Sequence, residues 1–216
     1  MAAYQRVRTA ATHLVISIVL STPLTAFAQG EPTIAPSFPT PSEIIEERLQ
    51  EGADQQELYK QSCNSVVRIE TSDPLGSTLI TGFFIDDKGL IATVISTNRN
   101  PDKIRVTWQE RTYDAKLLAI DERTRLALLK IDAEMTSGLM LSRGLDCAIG
   151  SQLYAISDTS DTLSRIAPGR LAGRESTLLN SPLPTTILRL HMKAAPDAFG
   201  APVLDVDGKV VAILLL

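Results

Sequence analysis

A chain of 216 residues with 44% hydrophobic and 21% charged residues, 12 glycines and 12 prolines has the composition of one globular domain or two small barrels. That composition excludes a disordered or coiled-coil protein, and the length allows a proper core. A formal net charge of −4 argues against a nucleic-acid or anionic-membrane partner.

The N-terminus reads as an address. Arg6 and Arg8 form a basic region without nearby acids, Leu14 to Leu20 is a short apolar run, and Ala26-Phe27-Ala28 fits a small-x-small cleavage site. Residues 1–28 are therefore expected to be a signal peptide cleaved after Ala28, leaving a periplasmic or secreted product. The apolar run falls short of the roughly 20 residues a membrane span needs, so no stable membrane anchor is expected. Removing Arg6 and Arg8 from the 21 basic residues, against 25 acidic ones, moves the net charge from −4 to −6.

Export carries Cys63 and Cys147 into an oxidising compartment, and the sequence leaves a disulfide and two free thiols both open. A bridge would stabilise by roughly 4 to 5 kcal/mol through the long loop it closes. Neither cysteine has metal-ligand or CxxC spacing, and the processed chain keeps a single histidine, His191. No metal or cofactor is expected.

Residues 29–41 form a Pro-rich linker. A helical arm over 42–62 follows, with Thr40 as N-cap, Pro41 at the first helical position and Glu43 completing a capping box. Gly52 is expected to end or kink it, with Asp54 and Glu57 offering a second start. Ile44, Ile45 and Leu49 make an apolar face expected to dock on its own domain, a partner-binding or oligomerising arm being the alternative.

From Ser65 onward the pattern changes to short β-rich runs near 65–71, 78–85, 90–96, 103–108, 113–120 and 126–131, with an Asp87-Lys88-Gly89 turn joining the second and third. After a looser stretch, Met135 to Asp146, a second set follows near 151–157, 163–173, 185–192, 201–205 and 209–215. This predicts an all-β protein of two antiparallel six-stranded barrels with a short N-terminal helix, the barrels spanning 63–134 and 135–216. Within Met192–Leu216, Pro196, Gly200 and Pro202 punctuate a loop, and an Asp207-Gly208 turn joins two short strands. The acid pairs Asp86-Asp87 and Asp205/Asp207 read as turn residues.

Several runs in this order resemble HtrA/Deg-like serine proteases of the trypsin fold. They are Ser65 to Ile69, Gly82 to Thr93, Ala115 to Asp121, Leu126 to Ile131, Ile149-Gly150-Ser151, and Pro202 to Val211. The resemblance implies the two-barrel fold and a serine-peptidase ancestry. It also places Cys63 before the first strand and Cys147 at the start of the second barrel, regions able to lie near each other. Members of that family continue past the last strand matched here, many into a peptide-binding PDZ module. The second barrel is thus expected to lack its closing strand, leaving an edge for the Pro-rich arm, another subunit or an extended peptide to cap.

That family's chemistry needs a serine nucleophile, a histidine base and a carboxylate that fixes the histidine. The resemblance puts Ser96 at the histidine's place, Arg125 at the carboxylate's and Phe199 at the nucleophile's, with Asp197 where a glycine would open the oxyanion hole. Serine is no base near neutral pH, a guanidinium stays protonated, and Phe199 has no hydroxyl. Arg125, unless exposed, must find an acid or carbonyls, because an unpaired buried charge is costly. His191 reads as an ordinary strand histidine, and Ser157, Ser160, Ser164 and Ser176 lack a supporting motif.

On these residues the chain is expected not to be an enzyme but a pseudoprotease. It would act by binding a protein or peptide, with an active paralogue or a second copy of itself as candidates and nucleic acid excluded. The alternatives are an active hydrolase with an unrecognised constellation and a structural subunit or degenerate, truncated product.

Overall fold

Apolar side chains on alternate residues give each strand after Val66 a face to bury, and the chain forms two curled β-sheets with one long helix before them. The structure, a computed structural model, describes residues 15–17, 41–74, 76–95, 101–134, 136–142, 147–158, 165–178 and 181–215. In chain order the elements are β1 (Val15–Ser17), α1 (Pro41–Ser62), β2 (Val66–Asp73), β3 (Gly76–Phe84), β4 (Leu90–Val94), β5 (Lys103–Trp108), β6 (Arg111–Asp114), β7 (Lys116–Ile120) and β8 (Leu126–Lys130). They continue with β9 (Gln152–Ile156), β10 (Ile166–Leu178), β11 (Ser181–Met192), β12 (Pro202–Leu204) and β13 (Val210–Leu214).

The first sheet runs in the order β6-β5-β2-β3-β4-β8-β7 and is antiparallel throughout. One strand was expected over 113–120; instead the chain divides there. Ala115, whose N–H donates to Ile104 O at 2.9 Å, belongs to neither ladder. Before it, β6 pairs with β5; after it, β7 pairs with β8. One residue outside both ladders thus carries the chain from one end of the sheet to the other, so the expected strand over 113–120 is shared between the two ends of the curled sheet, in keeping with the expected barrel.

Consecutive residues of β3 show why this sheet holds the middle of the molecule. Successive side chains point to opposite faces, yet Phe83 and Phe84 are both fully buried. Phe84 lies inside the curl with Ile69, Ile91, Val106 and Leu129, edge-on to Trp108 at 5.2 Å. Phe83 faces the other way, among Tyr154, Ile156, Leu204 and Ile213 of the second sheet. Burying two such rings stabilises by roughly 2 to 3 kcal/mol each and joins the sheets through a dry seam.

Helix α1 is unbroken over 22 residues, so Gly52 neither ends nor kinks it. The glycine has open space around it, and its cost of about 1 kcal/mol is offset where the helix docks. Docking uses the C-terminal half, with Leu58 and Ser62 buried and Tyr59 packed on the seam core, whereas Leu49 is 69% exposed. Burial pushes the Tyr154 phenol above its ordinary value, and Glu51 and Asp54 of the helix push it the same way. Thr40 and residues 29–40 of the linker lie outside the described residues.

In the second sheet β9 to β13 pair antiparallel, and the order β1-β11-β10-β9-β12-β13 closes into a barrel. The expectation of a missing last strand is therefore corrected. Val15–Ser17 lies between β11 and β13, parallel to both. Cys63 and Cys147 are unbridged: the Cys63 thiol donates to Lys60 O at 3.5 Å, and Cys147 packs on the second core.

Candidate active site at the barrel junction

The segment after Met192 folds largely as its punctuation suggests. Pro196–Ala198 makes a tight turn, then β12 and β13 form a hairpin. In the hairpin turn, Asp205 Oδ1 accepts the N–H groups of Asp207 and Lys209 at 3.0 and 2.9 Å. Asp86 does the same for Lys88 and Leu90 at 2.9 and 2.8 Å. Asp86 and Asp205 thus build turns, as expected.

Between those turns lies the junction. Phe199 O accepts from Thr81 N at 2.9 Å, and Gly200 N donates to Leu214 O at 2.9 Å. Thr81 Oγ1 donates to Asp197 O at 2.9 Å, and Thr93 Oγ1 donates to Thr81 O at 2.7 Å. Gly200 has φ +86, and a Cβ there would sit 2.3 Å from Thr81 O and 2.6 Å from Thr93 Oγ1. Only glycine combines that backbone with so close an approach. The loop from the second barrel is thus laced to β3 of the first.

Within the loop the Ala198 N–H donates back to Ala195 O at 3.0 Å. That donor closes the turn and does not face the junction. Asp197, at the expected oxyanion position, is half-buried with its carbonyl held by Thr81.

Arg125 arrives from the opposite side, at the end of the β7–β8 turn. It is in the left-handed region at φ +60, and its carbonyl accepts from Ile95 N at 3.0 Å. Its guanidinium carbon stands 5.7 Å from the centre of the Phe199 ring, a cation–π contact worth about 0.5 to 1 kcal/mol. An acid or carbonyl partner was expected for Arg125; the partner is an aromatic face. The structure therefore brings Arg125, Asp197 and Phe199 together, while Ser96 lies outside the described residues.

The remaining candidates separate. Ser157 is buried at the end of β9, beside Asp158, whose carboxylate pairs with Arg68 of β2 at 3.4 Å. His191 is exposed on β11 opposite Arg170, and Arg170 in turn lies opposite Gln152 at the other end of β9. Five residues of strand separate Gln152 from Ser157, about 16 Å, so His191 is no base for Ser157. Ser176 lies in β10, and Ser160 and Ser164 are outside the described residues. Sequence reasoning missed Thr81 and Thr93. Their signal was two hydroxyls set among apolar strand residues, where a buried hydroxyl must find an acceptor.

Comparison with known proteins follows the same geometry. Residues 80–213 match the family model described as a trypsin-like peptidase domain. The chain is similar to Serine protease HTRA1B of Danio rerio, 29% identical over 62% of this chain and 29% of that protein. It is also similar to a probable periplasmic serine endoprotease DegP-like of Chlamydia trachomatis, 25% identical over 62% of this chain and 27% of that protein. It thus spans less than a third of the length of these curated relatives. Among solved structures, the HtrA-type protease AlgW with tripeptide superimposes with a TM-score of 0.66 at 20% identity, covering 74% of this chain and 53% of that one. Deg5 gives 0.64 at 22% identity, covering 76% of this chain and 85% of that one. These two establish the fold.

The expectation that the chain is not an enzyme, drawn from Ser96, Arg125 and Phe199, is overturned by these matches. The matched model is a peptidase domain and the relatives are named as serine proteases, which points to an enzyme.

Proposed function

The chain belongs to the trypsin-like peptidase family in its HtrA/Deg-like branch, and from that premise we propose that it is an exported serine-type endopeptidase acting on extended polypeptide at the barrel junction. The observation that carries this reading is the peptidase match over residues 80–213, which takes in β3 from Ile80 onward, both walls of the junction and the loop at Phe199.

The chemistry sets a demand on that reading. Peptide hydrolysis through serine needs a hydroxyl that gives up its proton and donors for the oxyanion. Phe199 supplies no hydroxyl and Arg125 accepts no proton, so the reading assigns the hydroxyl to another serine of this region. Thr81 and Thr93 are committed as donors to backbone oxygens. Ser96, placed here by resemblance, and Ser157 are the candidates. Polypeptide binding is the part of the reading that Phe199 itself serves: its half-buried ring, backed by Arg125, offers an apolar surface for a substrate side chain.

Processed protein beginning at Gln29 is the material for the test. Casein cleavage and labelling by a fluorophosphonate probe are measured together, and the labelled residue is mapped by peptide mass. The expected result is cleavage, a label on Ser96 or Ser157, and loss of both when the labelled serine becomes alanine. Folded protein that neither cleaves nor labels overturns the hydrolytic reading, and anisotropy with a fluorescent casein peptide then reads binding alone. Export is checked by N-terminal sequencing of the periplasmic or secreted product, which is expected to start at Gln29.

A further inference from the structure

Strand β1 is the one parallel member of the second barrel. Val15, Ile16 and Ser17 stand opposite Ala212, Ile213 and Leu214 of β13, while Ile16 and Ser17 also stand opposite Ile187 and Leu188 of β11. The other sides of β11 and β13 are engaged by β10 and β12. Among the described residues no strand other than β1 pairs with these two edges, so without it both would present unpaired N–H and C=O groups along a slot, the condition under which a sheet edge recruits another strand. All five residues lining that ladder, Ile187, Leu188, Ala212, Ile213 and Leu214, are buried, and none carries a charge. The slot therefore selects an apolar, β-prone occupant, and Val15-Ile16-Ser17 with its neighbours Leu14 and Ile18 has that composition.

The connection is what makes the occupant exchangeable. Residues 18–40 separate β1 from α1 in sequence, and this stretch carries the Ala26-Phe27-Ala28 site together with four prolines, Pro23, Pro32, Pro36 and Pro39. Cutting the chain between β1 and α1 turns an intramolecular contact into a bimolecular one. We propose that the slot between β11 and β13 is a strand-acceptor site, filled in the uncut chain by its own Val15–Ser17 and refilled in trans by a peptide of that sequence.

The test uses the full chain, the Ile16→Pro variant and a synthetic peptide of residues 13–20, read by amide hydrogen exchange. Proline removes a ladder donor from the middle of the strand. Exchange at Ile187, Leu188 and Ala212 to Leu214 is expected to speed up about tenfold or more in the variant. Added peptide restores protection there, and the same peptide with proline in place of Ile16 does not. Unchanged exchange in the variant, or no rescue by the peptide, overturns the proposal. So does light scattering that shows the variant dimerising, with protection regained from a second copy. If the variant does not fold, exchange at Val15 to Ser17 in the unaltered chain decides: protection supports the site, and exchange at the random-coil rate rejects it.

Discussion

The two sheets solve the same problem of closure with different reach along the chain. Every strand of the first comes from the continuous stretch Val66 to Lys130. The second draws β1 from Val15–Ser17 and sets it against β11 and β13, some of whose partners lie nearly 200 residues away in sequence. Local ladders close their loops at low entropic cost, whereas so distant a pairing depends on packing that already exists. The first sheet is thus the self-sufficient half, and the second is the half whose integrity responds to what occupies its slot.

The largest effect is expected where the first sheet is cut at its centre. Phe84→Ala removes a fully buried ring from the core it shares with Trp108 and is expected to cost about 4 kcal/mol. Chemical denaturation checks the size, and amide exchange checks the place. Protection should fall throughout β2 to β8. A loss confined to β9 to β13 would mean that the second barrel, not the first, holds the structure together.

Gly200→Ala probes the seam instead of either core. The new Cβ meets Thr81 O at 2.3 Å in a backbone at φ +86, which is expected to cost on the order of 3 kcal/mol. Because Gly200 N also holds Leu214 O of β13, the damage should reach both sheets. A variant that keeps full stability would show that the lacing of Phe199 to β3 is not what aligns the junction.

The same contrast explains what could be read from the sequence. Strands β2, β3, β4, β5 and β8 were legible because local alternation and turns such as Asp86 to Gly89 specify them without help from afar. The hairpin at Asp205 to Gly208 was legible for the same reason. The division at Ala115 was not, since both halves of 113–120 are good strand and only the choice of ladder partner separates them. Leu14 to Leu20 has the pattern of a leader, and nothing local announces that three of its residues pair with β11 and β13. The continuity of α1 through Gly52 depends on Leu58 and Ser62 docking downstream, a tertiary effect that outweighs one glycine. In the junction, resemblance assigned Arg125 and Phe199 to positions of one site, but their cation–π contact and the supporting threonines needed coordinates.

The smallest effect isolates the turn that delivers Arg125. Asp121 Oδ1 accepts from Arg123 N at 3.0 Å and from Arg123 Nε at 3.4 Å. Burial alone would raise this carboxyl's pKa, but the backbone and side-chain bonds from Arg123 outweigh it and hold the group below its ordinary 3.8. A depressed folded value means the ionised form is favoured by folding, so the stabilisation is present above pH 3.8 and fades as pH falls through the folded value. Asp121→Asn is therefore expected to cost about 0.5 kcal/mol at pH 7, a small figure because the Arg123 side chain is largely in solvent. Thermal unfolding of both proteins from pH 7 down to pH 2 should show the gap closing below pH 3.8. A gap that stays constant to pH 2 would assign the turn's stability to its backbone, with Asp121 acting only as a neutral acceptor, and would leave the first sheet insensitive to carboxylate charge at this corner.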